Sequence, residues 1–539
     1  MVTAPHHLAA HSASAVLREG GNAIEAMVAA AATIAVVYPH MNSIGGDGFW
    51  LVSEPGRAPW AIDACGRAAA LATPAFYAER GLKAIPGRGP LAANTSAGAI
   101  SGWIEALTHS QRWGGRLPVS RLLQDAAWYA RQGAPVTHSQ VAFTRKFLPE
   151  LGPVPGFAAQ FLDAREARAG KAEAGPGVPA PDTLRRYPAL ADTLDGLAAR
   201  GLDDFYRGEI AAAMAAEHER LGGPLRLADL QAQRASTVVP LTVRVAGAGA
   251  SLHNLPPPTQ GLASLMILGI FERLRQRHAI TEADGFAHLH ALVESTKQAF
   301  RVRNRHVTDP ATMAARGSVP SAFLSEAFID QCAAAVDMRR ALPWPEPAVH
   351  GDTVWMGAAD SEGRMVSYIQ SVYWEFGSGV VLGDTGVVWQ NRGSSFSLDA
   401  GAHNGLAPGK KPFHTLNPAL AEFDDGRRMV YGNMGGDGQP QSQAAVFSRY
   451  AMFGRSLQAA VSAPRWLLGK TWGQETTTLK FESRFDPAVL KALAEAGHDV
   501  ETLDEYSDTM GHAGAIVRLP GGLLLGAADP RSDGVVAAY

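Results

Sequence analysis

Near residue 350 the sequence changes character, and that change limits the folds open to it. Thr353 to Ala359 and Met365 to Trp374 are two strand-like runs joined by Asp360-Ser361-Glu362-Gly363, an Asp/Gly turn of the kind that closes a β-hairpin. Upstream, helical spacing dominates. Leu8 to Arg18 reads as a helix stopped by Gly20-Gly21, Asn22 caps a second helix that ends before Pro39, and helices are predicted again over 184–219 and 286–307. The upstream strands are the run after the Ser43-to-Gly48 glycine turn, a short one from Trp60 leading to Arg67, and 238–245. Downstream, strands are predicted at 386–390, 429–432, 514–518 and 523–528, with helices at 440–453 and 487–496. Two sheets packed face to face, with helices on both outer surfaces, satisfy this order as an α+β fold of four layers, αββα. The start of the Thr353 strand then lies at a sheet end, open to a cleft.

That position matters because of what Thr353 can become. A threonine inside a chain is a weak nucleophile, since no base is held at a fixed distance from its hydroxyl. At an N-terminus it carries its own base, an α-amine with a pKa of about 7.7–8.0 that is partly neutral near physiological pH. Taken alone, Gly351-Asp352-Thr353-Val354 reads as the opening of a strand; a second reading, as a cleavage site, rests on the motifs that surround it.

Composition narrows the function. A chain of 539 residues folds as two domains or one large layered domain, and 46% hydrophobic with 18% charged residues is an ordinary globular balance. The net charge of −3 and the lack of a Lys/Arg block leave no source of attraction for a phosphate backbone, so nucleic acid is not an expected partner. The apolar run over 26–37 is too short to span a bilayer and reads as a buried helix, so no membrane association is expected. Two cysteines, Cys65 and Cys332, make neither a disulfide framework nor a thiolate zinc site. His7 and His11 are i,i+4 but lack an accompanying acidic or thiol ligand, so no metal is expected. The Gly45-Gly46-Asp47-Gly48 turn leads into a strand where a phosphate cradle would need a helix. The proline run from Leu255 to Gly261 reads as a rigid turn, and 169–181 as a surface excursion. No secretory signal is legible, which gives a cytoplasmic expectation, or a periplasmic one if a leader precedes Met1.

Several short motifs occur in the order found in the γ-glutamyltranspeptidase family of N-terminal-nucleophile hydrolases, and the chain resembles that family over nearly its whole length. The early ones are Gly20-Gly21-Asn22-Ala23, Pro39-His40, Gly45 to Phe49, Phe205 to Ile210, Leu227-Ala228-Asp229 and the turn from Asn254 to Gly261. The late ones are Gly351 to Thr353, Phe376 to Gly379, Phe413 to Pro418 and Gly435-Gly436. The resemblance implies self-cleavage between Asp352 and Thr353, into a large subunit of residues 1–352 and a small one of 353–539 that stay together as a heterodimer. The number of heterodimers is left open, a pair of them being one assembly. Thr353 would attack the carbonyl of Asp352, an N→O shift would give an ester, and water would release the new amine. In turnover Thr353 would attack an amide carbonyl, and the N–H groups of Gly435 and Gly436 would hold the oxyanion. The chemistry calls for no cofactor, since nucleophile, base and oxyanion donors all come from the polypeptide.

The substrate-binding positions depart from the γ-glutamyl pattern. The family's helper threonine falls at Ser371, and an asparagine two residues on falls at Tyr373. The glutamine and aspartate that hold a substrate ammonium fall at Arg392 and Ser395, and the paired serines at His414 and Thr415. The carboxylate-binding arginine falls on Cys65, with Arg67 two places on, and 395–414 is short for the usual lid loop. A cation in place of an anion disfavours an ammonium and suits a carboxylate. Arg-Gly-Ser-Ser-Phe and Phe-His-Thr-Leu are similar to the acylase and oxamate amidohydrolase branch. The expected activity is hydrolysis of a small carboxylate-bearing amide, oxamate being the sharpest expectation. The alternatives are a true γ-glutamyltransferase or glutathione hydrolase, and a silent member acting as a binding protein.

Overall fold

In the computed structural model, residues 1–163, 177–344, 352–469 and 477–539 are described, and they form the four layers expected. A seven-stranded sheet runs in the order Val535–Ala537, Val2–Ala4, Asp352–Ala359, Met365–Tyr373, Asp47–Ser53, Trp60–Ala64, Ser236–Val238. A six-stranded sheet runs Leu524–Ala528, Ala513–Arg518, Arg428–Asn433, Ala419–Phe423, Ala250–Asn254, Leu241–Val245. Neighbours in both are antiparallel.

Alternation along each strand sorts its side chains into two cores. Phe49, Leu51, Trp355, Ala359, Met365 and Ile369 of the first sheet meet Leu420, Val430 and Ile516 of the second. Trp50, Val52, Val354, Met356, Val366 and Tyr368 point the other way, into a helical layer. At its centre is Ala23–Val37, buried all round and rich in alanine, so that small side chains let it pass between the sheet and the outer helices His7–Arg18 and Val119–Gln132. Its start is fixed by a capping box: Asn22 accepts from the Glu25 N–H, and Glu25 accepts from the Asn22 N–H. Gly261–Arg277, Phe286–His306, Gly438–Phe447 and Leu457–Ser462 cover the second sheet.

The distance between the sheets is set by Trp355. Its indole lies on glycines of the opposite sheet, where a Cβ would fall 2.1 Å from Trp355 Cδ1 at Gly432 and 2.5 Å from Cζ3 at Gly514. The indole N–H donates to Ser367 Oγ at 2.9 Å.

Some boundaries differ from the sequence reading. The single strand expected over 238–245 is two, Ser236–Val238 and Leu241–Val245, and they belong to different sheets. Pro240, which offers no N–H to a ladder, marks the crossing. The helical span over 184–219 is broken at Gly201 and Gly208 into Pro188–Arg200, Asp204–Arg207 and Glu209–Arg220. The strand expected at 386–390 is only Val387–Val388, paired with Val381–Leu382. The helix expected at 440–453 starts earlier, at Gly438, and after Phe447 continues as a π turn over Ser448–Met452. Most of the excursion over 169–181 lies outside the described residues.

Because Gly432 leaves no room for a methyl group against the indole, Gly432→Ala is expected to destabilise the fold by about 1–3 kcal/mol. Its thermal midpoint should fall below that of the wild type, and Gly432→Ala combined with Trp355→Phe should recover part of the loss; equal midpoints would show that the sheets separate freely.

Candidate active site

At one end of the space between the sheets, polar groups replace the apolar ones. Thr353 precedes Trp355 by two residues, Ser371 follows Ile369 by two and Asp47 precedes Phe49 by two, so all three lie on the inter-sheet side of the first sheet. Ser371 is directly opposite Asp47, and the ladder is irregular between Gln370 and Tyr373, beside Thr353. All three side chains are buried.

Asp47 is the centre of this end. Its Oδ1 accepts from the N–H groups of Gly66 at 2.8 Å and Gly98 at 2.9 Å and from Gln390 Nε2 at 3.0 Å, while Oδ2 is 2.8 Å from His414 Nε2. Burial, with Arg392 adding to it, pulls the His414 pKa down to about 3, so the imidazole is neutral. Its Nε2 then carries the proton donated to Asp47, and Nδ1 is left as a buried acceptor with no partner among the described residues.

Arg392 opens a single 3₁₀ turn, Arg392–Ser395, and is fully buried. Burial lowers its pKa to about 10, which leaves it cationic at neutral pH. Nη1 donates to Thr415 Oγ1 at 3.1 Å, and the guanidinium lies 3.8 Å from the centroid of the Tyr373 ring. Nε and Nη2 have no hydrogen-bond partner among the described residues, so part of a planar fork is open. Tyr373 has φ +85°, rare for a bulky residue, and its N–H donates to Ser371 Oγ at 2.8 Å. Burial pushes the Tyr373 phenol pKa up, so it is neutral as well. Ser395 ends the same turn, with its Oγ buried and without a partner among the described residues.

The second sheet contributes the loop between Arg428–Asn433 and Gly438–Phe447. Gly435 and Gly436 have φ +105° and +45°, values that glycine adopts without strain. Among the described residues neither of their N–H groups is hydrogen-bonded. Gln439, at the first turn of the helix, donates from Nε2 to Thr353 Oγ1 at 3.3 Å. Gln260 donates both amide hydrogens, one to Gly436 O at 2.8 Å and one to Thr415 O at 2.7 Å, and its oxygen accepts from Arg303 Nη1 at 2.8 Å. Arg303 is also paired with Asp437 at 2.6 Å.

Thr353, Ser371, Tyr373, Arg392, Ser395, His414, Thr415, Gly435 and Gly436 are thus arranged around one end of the two sheets. Arg67 is not part of that arrangement. It is exposed, donates from Nη1 to Gly409 O at 3.0 Å, and lines a surface cleft of 590 Å³ with Asp63, Pro256, Met313 and Lys411. The chain turns outward after Cys65, whose own side chain is buried with its Sγ donating to Gly66 O. Asp47, Cys65 and His414 bring ligand-type atoms within 4.8 Å of one another. Asp47 is already committed to four donors and burial keeps the Cys65 thiol protonated, so the group is a hydrogen-bonded cluster and not a ready metal set. Residue 351 and the side chain of Asp352 lie outside what is described.

Sequence reasoning missed Asp47, Gln260 and Gln439. Asp47 was visible only as part of a glycine turn, although a carboxylate opening an otherwise apolar strand must find donors. Gln260 and Gln439 carry no pattern of their own; long-range packing alone brings them to the site.

The family model for γ-glutamyltranspeptidase matches residues 9–539, and the chain belongs to that family of enzymes. It is 55% identical over 540 residues to the oxamate amidohydrolase proenzyme of Klebsiella pneumoniae, covering 100% of this chain and 98% of that one. It is 37% identical to the glutathione hydrolase-like YwrD proenzyme of Bacillus subtilis, covering 99% and 97%. Among solved structures, cephalosporin acylase from Bacillus halodurans superposes with a TM-score of 0.87 at 31% identity, covering 100% and 95%.

Removing the Asp47 carboxylate orphans two backbone N–H groups, an imidazole and one hydrogen of the Gln390 amide, whose other hydrogen stays on Ser96 O, and each unsatisfied buried group costs about 1–3 kcal/mol. Asp47→Ala should therefore lower the thermal midpoint far more than His414→Ala, which removes one of those donors and keeps the carboxylate bonded. Similar midpoints for the two variants would refute this role for Asp47.

Proposed function

We propose that the chain is the precursor of an N-terminal-threonine amidohydrolase. It would cleave itself between Asp352 and Thr353 into subunits 1–352 and 353–539 and then hydrolyse the amide of a small carboxylate-bearing substrate, with oxamate as the preferred one. The observation that carries the substrate reading is the open part of the Arg392 fork: a buried cation, held by Thr415 and Tyr373, with Nε and Nη2 directed to no protein acceptor among the described residues. A carboxylate supplies the geometry that such a fork lacks. The relative named as an oxamate amidohydrolase proenzyme supports the same reading and also supports self-processing.

In this mechanism the Thr353 α-amine takes the hydroxyl proton as Oγ1 attacks the amide carbon. The carbonyl oxygen becomes an oxyanion held by the N–H groups of Gly435 and Gly436, and the ammonia leaves with a proton returned by the amine. Ser371 supplies a hydroxyl beside the nucleophile, Arg392 holds the substrate carboxylate, and Tyr373, Ser395, His414 and Thr415 shape the pocket around it. The glutathione-hydrolase reading has the support of the relative named glutathione hydrolase-like, but a cation, Arg392, stands where an anion would be needed to receive a substrate ammonium.

Two results are expected. Intact mass should show two polypeptides in place of one chain of 56.9 kDa, with Thr353 at a new N-terminus, and Thr353→Ala should leave the chain whole and inactive. The processed protein should release ammonia from oxamate and act poorly on γ-glutamyl anilides. Arg392→Gln should process normally while losing about 100-fold in kcat/KM on oxamate, consistent with the loss of a buried charge-assisted pair. Preference for the anilide, or unchanged kinetics in Arg392→Gln, would overturn the substrate reading.

A further inference from the structure

We propose that Gln439 is a catalytic residue that stabilises Thr353 Oγ1 as the leaving oxygen whenever an ester on that oxygen is hydrolysed. The inference rests on Thr353 being the nucleophile. Gln439 is fully buried, and its amide has a defined orientation. The backbone N–H of Asn417 points at Oε1 from 3.2 Å, and a backbone N–H can only donate. The oxygen must therefore face Asn417, which turns Nε2 with its hydrogens to Thr353 Oγ1 at 3.3 Å. The amide cannot flip without setting two donors against each other.

A donor to Oγ1 has a particular use. While Oγ1 attacks, it loses electron density to the new C–O bond and gains little from a donor. When the ester is broken the flow reverses: water adds to the ester carbon, its proton passes to the Thr353 α-amine, and the C–Oγ1 bond breaks with its electron pair going to Oγ1. That oxygen then takes the proton from the ammonium. Negative charge collects on Oγ1 in this step, and the Gln439 N–H lies where it collects. The same bond breaks twice in the life of the protein, once when the self-cleavage ester between Asp352 and Thr353 is hydrolysed and once per turnover when the acyl-enzyme is. Loss of the donor should slow both.

The test uses the full-length chain carrying Gln439→Leu, which removes the amide, and Gln439→Glu, which keeps the shape and the acceptor facing Asn417 but replaces the donor by an oxygen. Both should slow self-cleavage and the steady-state release of ammonia from oxamate by about 10- to 100-fold, while the ammonia of the first turnover, which leaves before the ester is hydrolysed, is released at the wild-type rate. The slow step should be ester hydrolysis, so precursor treated with neutral hydroxylamine should be cut quickly at Asp352, leaving a hydroxamate there that mass spectrometry detects. A residue that only supported the fold would not give an ester that hydroxylamine rescues. If Gln439→Leu does not accumulate as folded protein, Gln439→Glu alone carries the comparison. Processing and turnover within twofold of the wild type, or slow processing that hydroxylamine fails to accelerate, would overturn the role. A Thr353→Ala chain that still cleaves would remove the nucleophile reading and this inference together. A whole Thr353→Ala chain beside Gln439 variants of wild-type rate would remove this inference alone.

Discussion

The polar end of the space between the two sheets is built on one buried carboxylate. Asp47 has no exposure to water, and a lone anion in such a place is tolerated only when donors replace its hydration. Four do, and they come from Gly66, Gly98, Gln390 and His414, which are far apart in the chain. The backbone closes tightly around it: a Cβ would lie 1.6 Å from Ser96 O at Gly66 and 2.0 Å from Ala64 O at Gly98. Two of the donors have a second consequence. Gln390 lies two residues before Arg392, and His414 immediately precedes Thr415, so the carboxylate fixes both sides of the Arg392–Thr415 contact without touching either residue.

The glycine loop of the second sheet is fixed by a separate network, and one amide joins the two. Gln260 bonds Thr415 O with one hydrogen and Gly436 O with the other. The positions of Thr415, which accepts from Arg392, and of the glycine loop are therefore set against each other by a single planar group. Gln260 is itself oriented by Arg303, whose charge is answered by Asp437, both almost completely buried. From behind, Asn433 accepts from Arg465 Nη1 at 2.8 Å, and Arg465 is paired with Asp529. These cations are internally matched. Arg392, by contrast, is stacked and hydrogen-bonded but has no carboxylate within salt-bridge distance among the described residues.

The layers were legible in the sequence because alternation and helical spacing are local signals. The Thr353 hairpin, with its Asp/Gly turn, is recovered almost residue for residue as Asp352–Ala359 and Met365–Tyr373. The crossing at Pro240 was not: Val238 to Val245 reads as one strand, and although Pro240 signals a break in it, nothing local says that its two ends join different sheets. In the candidate site, the residues that the sequence reading named were those carried by motifs, and those brought in by packing alone went unnamed. Gly435, Gly436 and Thr353 stand in recognisable order along the chain. Gln439 and Gln260 matter only through atoms contributed by segments far away in sequence. Arg67 shows the converse error: a residue two places from the expected position can point the other way, because Cys65 turns inward at the end of a strand and Arg67 lies beyond it on the surface.

Tyr373 explains how the Arg392 fork stays open and rigid at once. An extended backbone at this position would carry the Met365–Tyr373 strand onward; the left-handed conformation instead turns the chain and puts the ring against Arg392. Such a conformation costs on the order of 1–3 kcal/mol for a residue with a Cβ, and it persists where the surroundings hold it. Here Ser371 accepts the Tyr373 N–H, and the guanidinium covers the ring face in a buried cation–π contact. The guanidinium plane is consequently set before any ligand arrives, and an anion that meets it need not order a flexible side chain. Binding energy that would otherwise go into that ordering remains for the ligand. The gain is largest for a small anion, which has few other contacts through which to bind. The strained tyrosine and the open guanidinium are thus two parts of one device, suited to an anion in which a carboxylate makes up much of the bulk.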